Sequence, residues 1–98
     1  MIRRVAFRPE ATAEIAEAVD WYETHGKGLG SEFLRSLEAI VANVERNPLA
    51  FPLVRNNARR ALLRRFPYAL MYIVSDEELL IVACFHSHRD PQHWQSRM

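Results

Sequence analysis

The stretch CFHSHRDPQHW, Cys84 to Trp94, brings His86, His88 and His93 together with Arg89 and Asp90. Imidazole titrates near neutral pH without help from its surroundings. Such a cluster therefore suits general acid–base chemistry, metal ligation or a polar binding surface. His86 and His88 fall on one face of a strand end, a two-ligand start for a metal, and His93 joins them only if the chain turns at Pro91. No second cysteine or acidic cluster completes a tetrahedral site, so neither a metal nor another cofactor is expected. A plainer arrangement has Asp90 pairing with Arg89 or capping the turn before Pro91, with His86 hydrogen-bonded at the strand end.

The elements that must position these groups fit one domain over residues 1–98, a length typical of a single globular core. The only cysteine, Cys84, lies in an apolar run and reads as a small buried hydrophobe. With no intrachain disulfide possible, a cytoplasmic location is expected. MIRRVAFRPE has no apolar stretch behind its arginines, and no run approaches the ~20 residues of a membrane span. The net charge of +1 conceals an uneven distribution: residues 10–45 are strongly acidic, whereas residues 46–75 carry six arginines and no acid. An anionic partner would find its complement in that second segment.

IRRVAF predicts a short strand over 2–7. Pro9 then suits the first position of a helix, where its missing N–H is no loss. Ala11, Ile15, Ala18, Val19 and Tyr22 make one apolar stripe on a helix over 9–25. Trp21 falls at the edge of that stripe, either partly buried or as an anchor for a partner. Gly26, Gly28 and Gly30 break the helix. Phe33, Leu34, Leu37, Ile40, Val41 and Val44 form the stripe of a second helix over 29–46, ended by Asn47 and Pro48. Residues 47–57 read as loop, ARRALLR (58–64) as a strand, and residues 65–67 as a turn. YALMYIV (68–74) and LLIVACF (79–85) read as buried strands joined by SDEE. The expected order is β-α-α-β-β-β: an α+β fold with an antiparallel helical hairpin on a small antiparallel sheet. One helical layer covers one sheet face, so the other is expected to lie short of cover and to make the free protein prone to associate.

Taken in order, RPEA (Arg8–Ala11), WYE (Trp21–Glu23), EFL (Glu32–Leu34), NP (Asn47–Pro48), RRFPYALMY (Arg64–Tyr72) and HSHRDP with Trp94 span most of the chain. This ordered set resembles the RelE/ParE superfamily of type II toxin–antitoxin toxins, and within it the ParE-like branch. The resemblance implies a cytoplasmic bacterial toxin of the plasmid-stabilisation kind, held inactive in a hetero-oligomer. Its partner would be a ParD-like antitoxin, of ribbon-helix-helix type, with an extended and helical segment that wraps the toxin. ParE-like members generally poison DNA gyrase. No membrane partner is implied.

RelE members instead cut mRNA on the ribosome. That chemistry needs a base for the 2′-hydroxyl, an acid for the leaving oxygen and cations around the phosphorane. His86, His88, Arg89, Arg65 and Tyr72 would be the set for a metal-independent endoribonuclease. The chain departs from the cleaving pattern, however. Tyr68 is followed by Ala69 and Leu70 rather than the basic residue of cleaving members, which many ParE-like members also carry, Lys27 is the only lysine, and Trp94 cannot exchange a proton near neutrality. The expectation is therefore a non-enzymatic gyrase inhibitor. It would contact target or antitoxin through Arg59, Arg60, Arg64, Arg65, His86, Arg89, Trp94 and Trp21. The alternatives are a RelE-type ribosome-dependent endonuclease, or a degenerate toxin that only binds its antitoxin. The arginines also have a role as charges on both faces of an edge strand, which resist unwanted pairing.

Overall fold

Helix α1 (Pro9–His25) starts where sequence chemistry places it: Arg8 is extended, Pro9 occupies the first turn and Glu10 follows near the positive end of the helix dipole. A computed structural model of the chain describes residues 3–88. Helix α2 (Leu29–Arg46) follows after three residues, the first link of a tight αα-hairpin. Gly28 supplies the left-handed backbone that reverses the chain, with φ of 88°. No side chain of its own turn caps α2. Instead the Glu23 carboxylate reaches across from α1, accepting from the N–H groups of Gly28 and Gly30 at 3.0 Å each. Those hydrogen bonds hold the Glu23 carboxyl below its usual range. Gly30 permits the approach, since a Cβ there would stand 3.0 Å from both the Val19 carbonyl oxygen and Glu23 Oε1.

The sheet has five strands in the order β1-β5-β4-β3-β2: β1 (Arg4–Phe7), β2 (Leu53–Arg55), β3 (Ala58–Leu62), β4 (Tyr68–Val74) and β5 (Glu78–His86). The α+β class and the helical hairpin on a sheet match expectation. Two features differ from it. First, β1 pairs in parallel with β5, so the sheet is mixed rather than wholly antiparallel. The connection between these parallel neighbours runs through both helices and the other three strands, well beyond the minimum crossover such a pair needs. Second, the segment expected to be all loop holds β2, paired to β3 through an irregular register of Leu53 with Arg59 and Arg55 with Ala58. β2 is short and exposed, and pairing rather than any hydrophobic pattern makes it a strand.

The core lies between the helices and one sheet face. Phe33, Leu37, Ile40 and Val44 of α2 pack with Ala11 and Ala18 of α1 against Leu70, Tyr72, Leu79, Ile81 and Cys84. Register jumps from Tyr72↔Ile81 to Met71↔Ala83, leaving Val82 as a bulge. The bulge turns Cys84 toward the helices. Beyond Phe7↔Ile81 strand β1 has ended, and Glu14 replaces it: its Oε1 accepts the Cys84 N–H at 3.0 Å. Glu14 is 8% exposed, the buried charged side chain among the described residues. Burial, reinforced by the Glu14 charge, pushes the Cys84 thiol up to about 12.

The opposite sheet face corrects the expectation of an open apolar surface. Ala58, Ala69, Met71, Val82, Ala83 and Phe85 form a second buried cluster, with Ile73 and Leu80 packed against it. Exposed apolar side chains gather instead toward the β2–β3 edge, at Leu49, Leu53, Val54 and Leu62. No helix among the described residues is long and apolar enough to cross a membrane.

Candidate functional site

Two concavities bring together most of the described candidate residues. The first is a groove of about 710 Å³ between α2 and the β3–β4 turn. Ala39, Ile40, Phe51, Leu62 and Phe66 give it an apolar lining, and Arg35, Arg46, Arg64 and Arg65 stand around it against a single carboxylate, Glu32. Arg35 and Arg46 are eleven residues apart, three helical turns, and so share one side of α2. Arg64 and Arg65 belong to the turn between β3 and β4. The Ser36 hydroxyl pins that turn to α2 by donating to the Arg64 carbonyl at 2.7 Å. Arg65 has φ of 71°, a left-handed conformation that a non-glycine residue adopts at a cost of roughly 1 kcal/mol. The surrounding anchors impose that conformation and keep the guanidinium at the groove.

The second concavity, about 670 Å³, lies where α1 meets the ends of β4 and β5. Glu17, Trp21 and Tyr22 line it from α1, Tyr68 from β4, and His86 and His88 from the end of β5. The Ser87 N–H donates to the Pro67 carbonyl at 2.7 Å, which ties the histidine-bearing segment to the start of β4. The His88 N–H donates to His86 Nδ1 at 3.2 Å, so that nitrogen serves as an acceptor. The two imidazole rings are 5.4 Å apart, and Tyr68 stands edge-on to His86 at 5.6 Å. Trp21 is 54% exposed, and His25 stacks on it at 3.8 Å with its Nδ1–H donating to the Trp21 carbonyl.

The remaining candidates fall elsewhere. Arg59 and Tyr72 are cross-strand partners on the helix-facing side of the sheet. Arg59 Nη1 donates to the carbonyls of Leu49 (3.1 Å) and Phe51 (2.6 Å). The Tyr72 hydroxyl donates to the Pro48 carbonyl at 2.7 Å, and the residue is fully buried. Burial raises the Tyr72 pKa, with Arg59 acting against the shift. Both residues are tethers for the 48–51 loop rather than members of either concavity. Arg60 is exposed on the other face, across from Met71. Arg89 and Trp94, like Asp90 and His93, lie outside the described residues.

The histidines and the paired arginines thus line different concavities, and of the four described members of the cleaving set His86 and His88 stand together while Arg65 and Tyr72 lie elsewhere. No three His, Cys, Asp or Glu residues converge to hold a metal ion among those residues. Sequence reasoning missed Arg35, Arg46 and Phe51 in the first groove, and Glu17, Tyr22 and Tyr68 in the second. The helical spacing of Arg35 and Arg46 was the available signal. Nothing local marked Phe51.

Comparison with known proteins places this geometry in a family. Structures similar to the chain include the chromosomal ParDE toxin–antitoxin system of P. aeruginosa, at 18% identity and TM-score 0.63, covering 87% of this chain and 96% of that one. A second is the RelBE2 toxin–antitoxin complex of Mycobacterium tuberculosis, at 21% identity and TM-score 0.59, covering 88% and 99% respectively. A third, a mutant E. coli RelE toxin in the free state, has 17% identity and TM-score 0.67 over 100% of this chain and 99% of that one. At these identities the likeness establishes a shared fold. No curated protein sequence matches significantly. The family model for the ParE toxin of the type II toxin–antitoxin system parDE matches residues 5–91. The chain therefore belongs to the ParE toxin family of type II toxin–antitoxin systems.

Proposed function

We propose that the chain is a cytoplasmic toxin that acts by binding a protein target, DNA gyrase, and is neutralised by a cognate ParD-like antitoxin. The observation that carries this reading is the groove along α2. Four guanidinium groups around an apolar lining suit an acidic amphipathic segment: carboxylates pair with the arginines while aliphatic side chains enter the floor. The antitoxin is the partner with that chemistry. Solved ParDE and RelBE systems, in which such toxins occur with their antitoxins, support the pairing.

Binding rather than RNA cleavage is favoured by what Tyr72, a member of the candidate cleaving set, and its cross-strand partner Arg59 already do. Arg59 holds two loop carbonyls, the Tyr72 hydroxyl holds a third, and Ala69, buried, sits across from Leu62 where a cleaving toxin would place a cation. The test uses purified protein with gyrase, ATP and supercoiled plasmid, in parallel with ribosomes translating a defined mRNA. Accumulation of cleaved plasmid with intact mRNA is the expected result. Cut mRNA with unaffected gyrase would overturn the reading in favour of a RelE-type endonuclease. Antitoxin binding without either activity would identify a degenerate toxin. Arg64→Glu with Arg65→Glu should weaken antitoxin binding at least ~10-fold and more so at low salt, measured by titration calorimetry.

A further inference from the structure

The second concavity has chemistry opposite to that of the arginine groove. Helix α1 contains Glu10, Glu14, Glu17, Asp20 and Glu23 and neither lysine nor arginine. Two of these carboxylates have structural duties: Glu14 accepts from Cys84, and Glu23 caps α2. Glu10, Glu17 and Asp20 are left exposed, and Glu17 borders the concavity. No described residue forms an ion pair with Glu17. The walls are aromatic. Trp21 stands edge-on to Tyr22 at 5.1 Å, and Tyr68 and His86 contribute further rings.

We propose that this pocket receives an arginine side chain from a protein partner. A guanidinium is planar, stacks on tryptophan and tyrosine faces, and presents a fork that matches a carboxylate. The pocket supplies both, with the exposed Trp21 indole as the π surface and Glu17 as the carboxylate. The His25 ring, fixed by its bond to the Trp21 backbone carbonyl, stacks on one face of the indole and steadies it before any partner arrives, which lowers the ordering cost of binding. A nucleic acid, which would also stack on these rings, is disfavoured because its phosphates would meet Glu10, Glu17 and Asp20 on a helix without lysine or arginine. The molecule thus offers two recognition sites of opposite sign, one for acidic and one for basic partner segments. The pocket proposal goes beyond the antitoxin reading of the first groove and does not depend on it.

The test is a titration of the full chain, labelled with ¹⁵N, by a short blocked peptide with one arginine flanked by glycines. A citrulline peptide of the same length and an oligouridylate serve as comparison probes. The Trp21 indole and the amides of Tyr68, His86 and His88 should shift with the arginine peptide and stay in place with citrulline. Glu17→Gln should weaken the interaction about fivefold, and Trp21→Phe should weaken it less than Trp21→Ala, since indole is the stronger π surface. Unchanged amide positions elsewhere show that each variant is folded, which the exposure of both side chains favours. Arg64→Glu with Arg65→Glu should leave this titration unaltered, so failure here and failure of the antitoxin reading are separable. Equal shifts with citrulline, oligouridylate binding at the pocket, no shift with the arginine peptide, or no effect of Glu17→Gln would each overturn the proposal.

Discussion

Replacing Tyr72 with phenylalanine separates a structural role from a catalytic one. In the native protein the hydroxyl donates to the Pro48 carbonyl at 2.7 Å from a fully buried ring. Phenylalanine keeps the ring, so the packing against Phe51 at 6.2 Å between centroids is preserved. What is lost is one hydrogen bond, with a net value of about 1 kcal/mol. The abandoned acceptor adds a penalty, kept small by the half-buried setting of Pro48. The total should be about 1–1.5 kcal/mol, which for a domain of this size lowers Tm by roughly 5–10 °C. Arg59 tethers the same loop, so Arg59→Ala and Tyr72→Phe should not add independently, and a double-mutant cycle should reveal coupling above ~0.5 kcal/mol. The assay pairs thermal denaturation with growth inhibition in cells expressing the toxin. Growth inhibition should survive Tyr72→Phe wherever the variant remains folded. An unchanged Tm together with toxicity lost by orders of magnitude would refute the reasoning and return Tyr72 to a catalytic role.

Other perturbations test the scaffold. The folded-state pKa of Cys84, about 12 against an ordinary value of 9.0, means that the folded protein holds this proton more tightly than the unfolded chain does. That stabilisation is complete below pH 9 and is lost as pH rises toward 12, with about 2 kcal/mol gone by pH ~10.5. Urea unfolding at stepped alkaline pH should show the loss, and Cys84→Ala should flatten it. Gly30→Ala places a Cβ 3.0 Å from the Val19 carbonyl and should destabilise the hairpin by about 1–2 kcal/mol, seen as a lower urea midpoint. Glu14→Ala strips the acceptor from the Cys84 N–H and should cost about 2 kcal/mol, whereas Glu14→Gln, which keeps an oxygen acceptor, should cost less in the same assay.

The long elements were legible because each has its own periodicity. The apolar stripes predicted helices over 9–25 and 29–46, the bounds that α1 and α2 have. The runs YALMYIV and LLIVACF correspond to β4 and the body of β5. Strand β2 was not legible, because three exposed residues between Pro52 and Asn56 carry no pattern and exist as a strand only through β3. The candidate residues were legible as types but not as groups. Arg64 and Arg65 belong with Arg35 and Arg46 rather than with Arg59 and Arg60, because alternation along β3 sends Arg59 and Arg60 to opposite faces while the turn after Leu62 carries the next pair to α2.

Local rules were enough for the helix ends, the buried strands, the separation of acidic and basic segments and the order of motifs, since each depends on neighbours within a few residues. Partnership across the chain required the fold. The parallel placement of β1 beside β5, the Glu14 carboxylate standing in where β1 stops, and the commitment of Tyr72 and Arg59 to the 48–51 loop all join residues distant in sequence. Side-chain chemistry states what each group can bond. Only backbone geometry, through strand register, the Val82 bulge and the left-handed turn at Arg65, determines which groups come within 3 Å of one another.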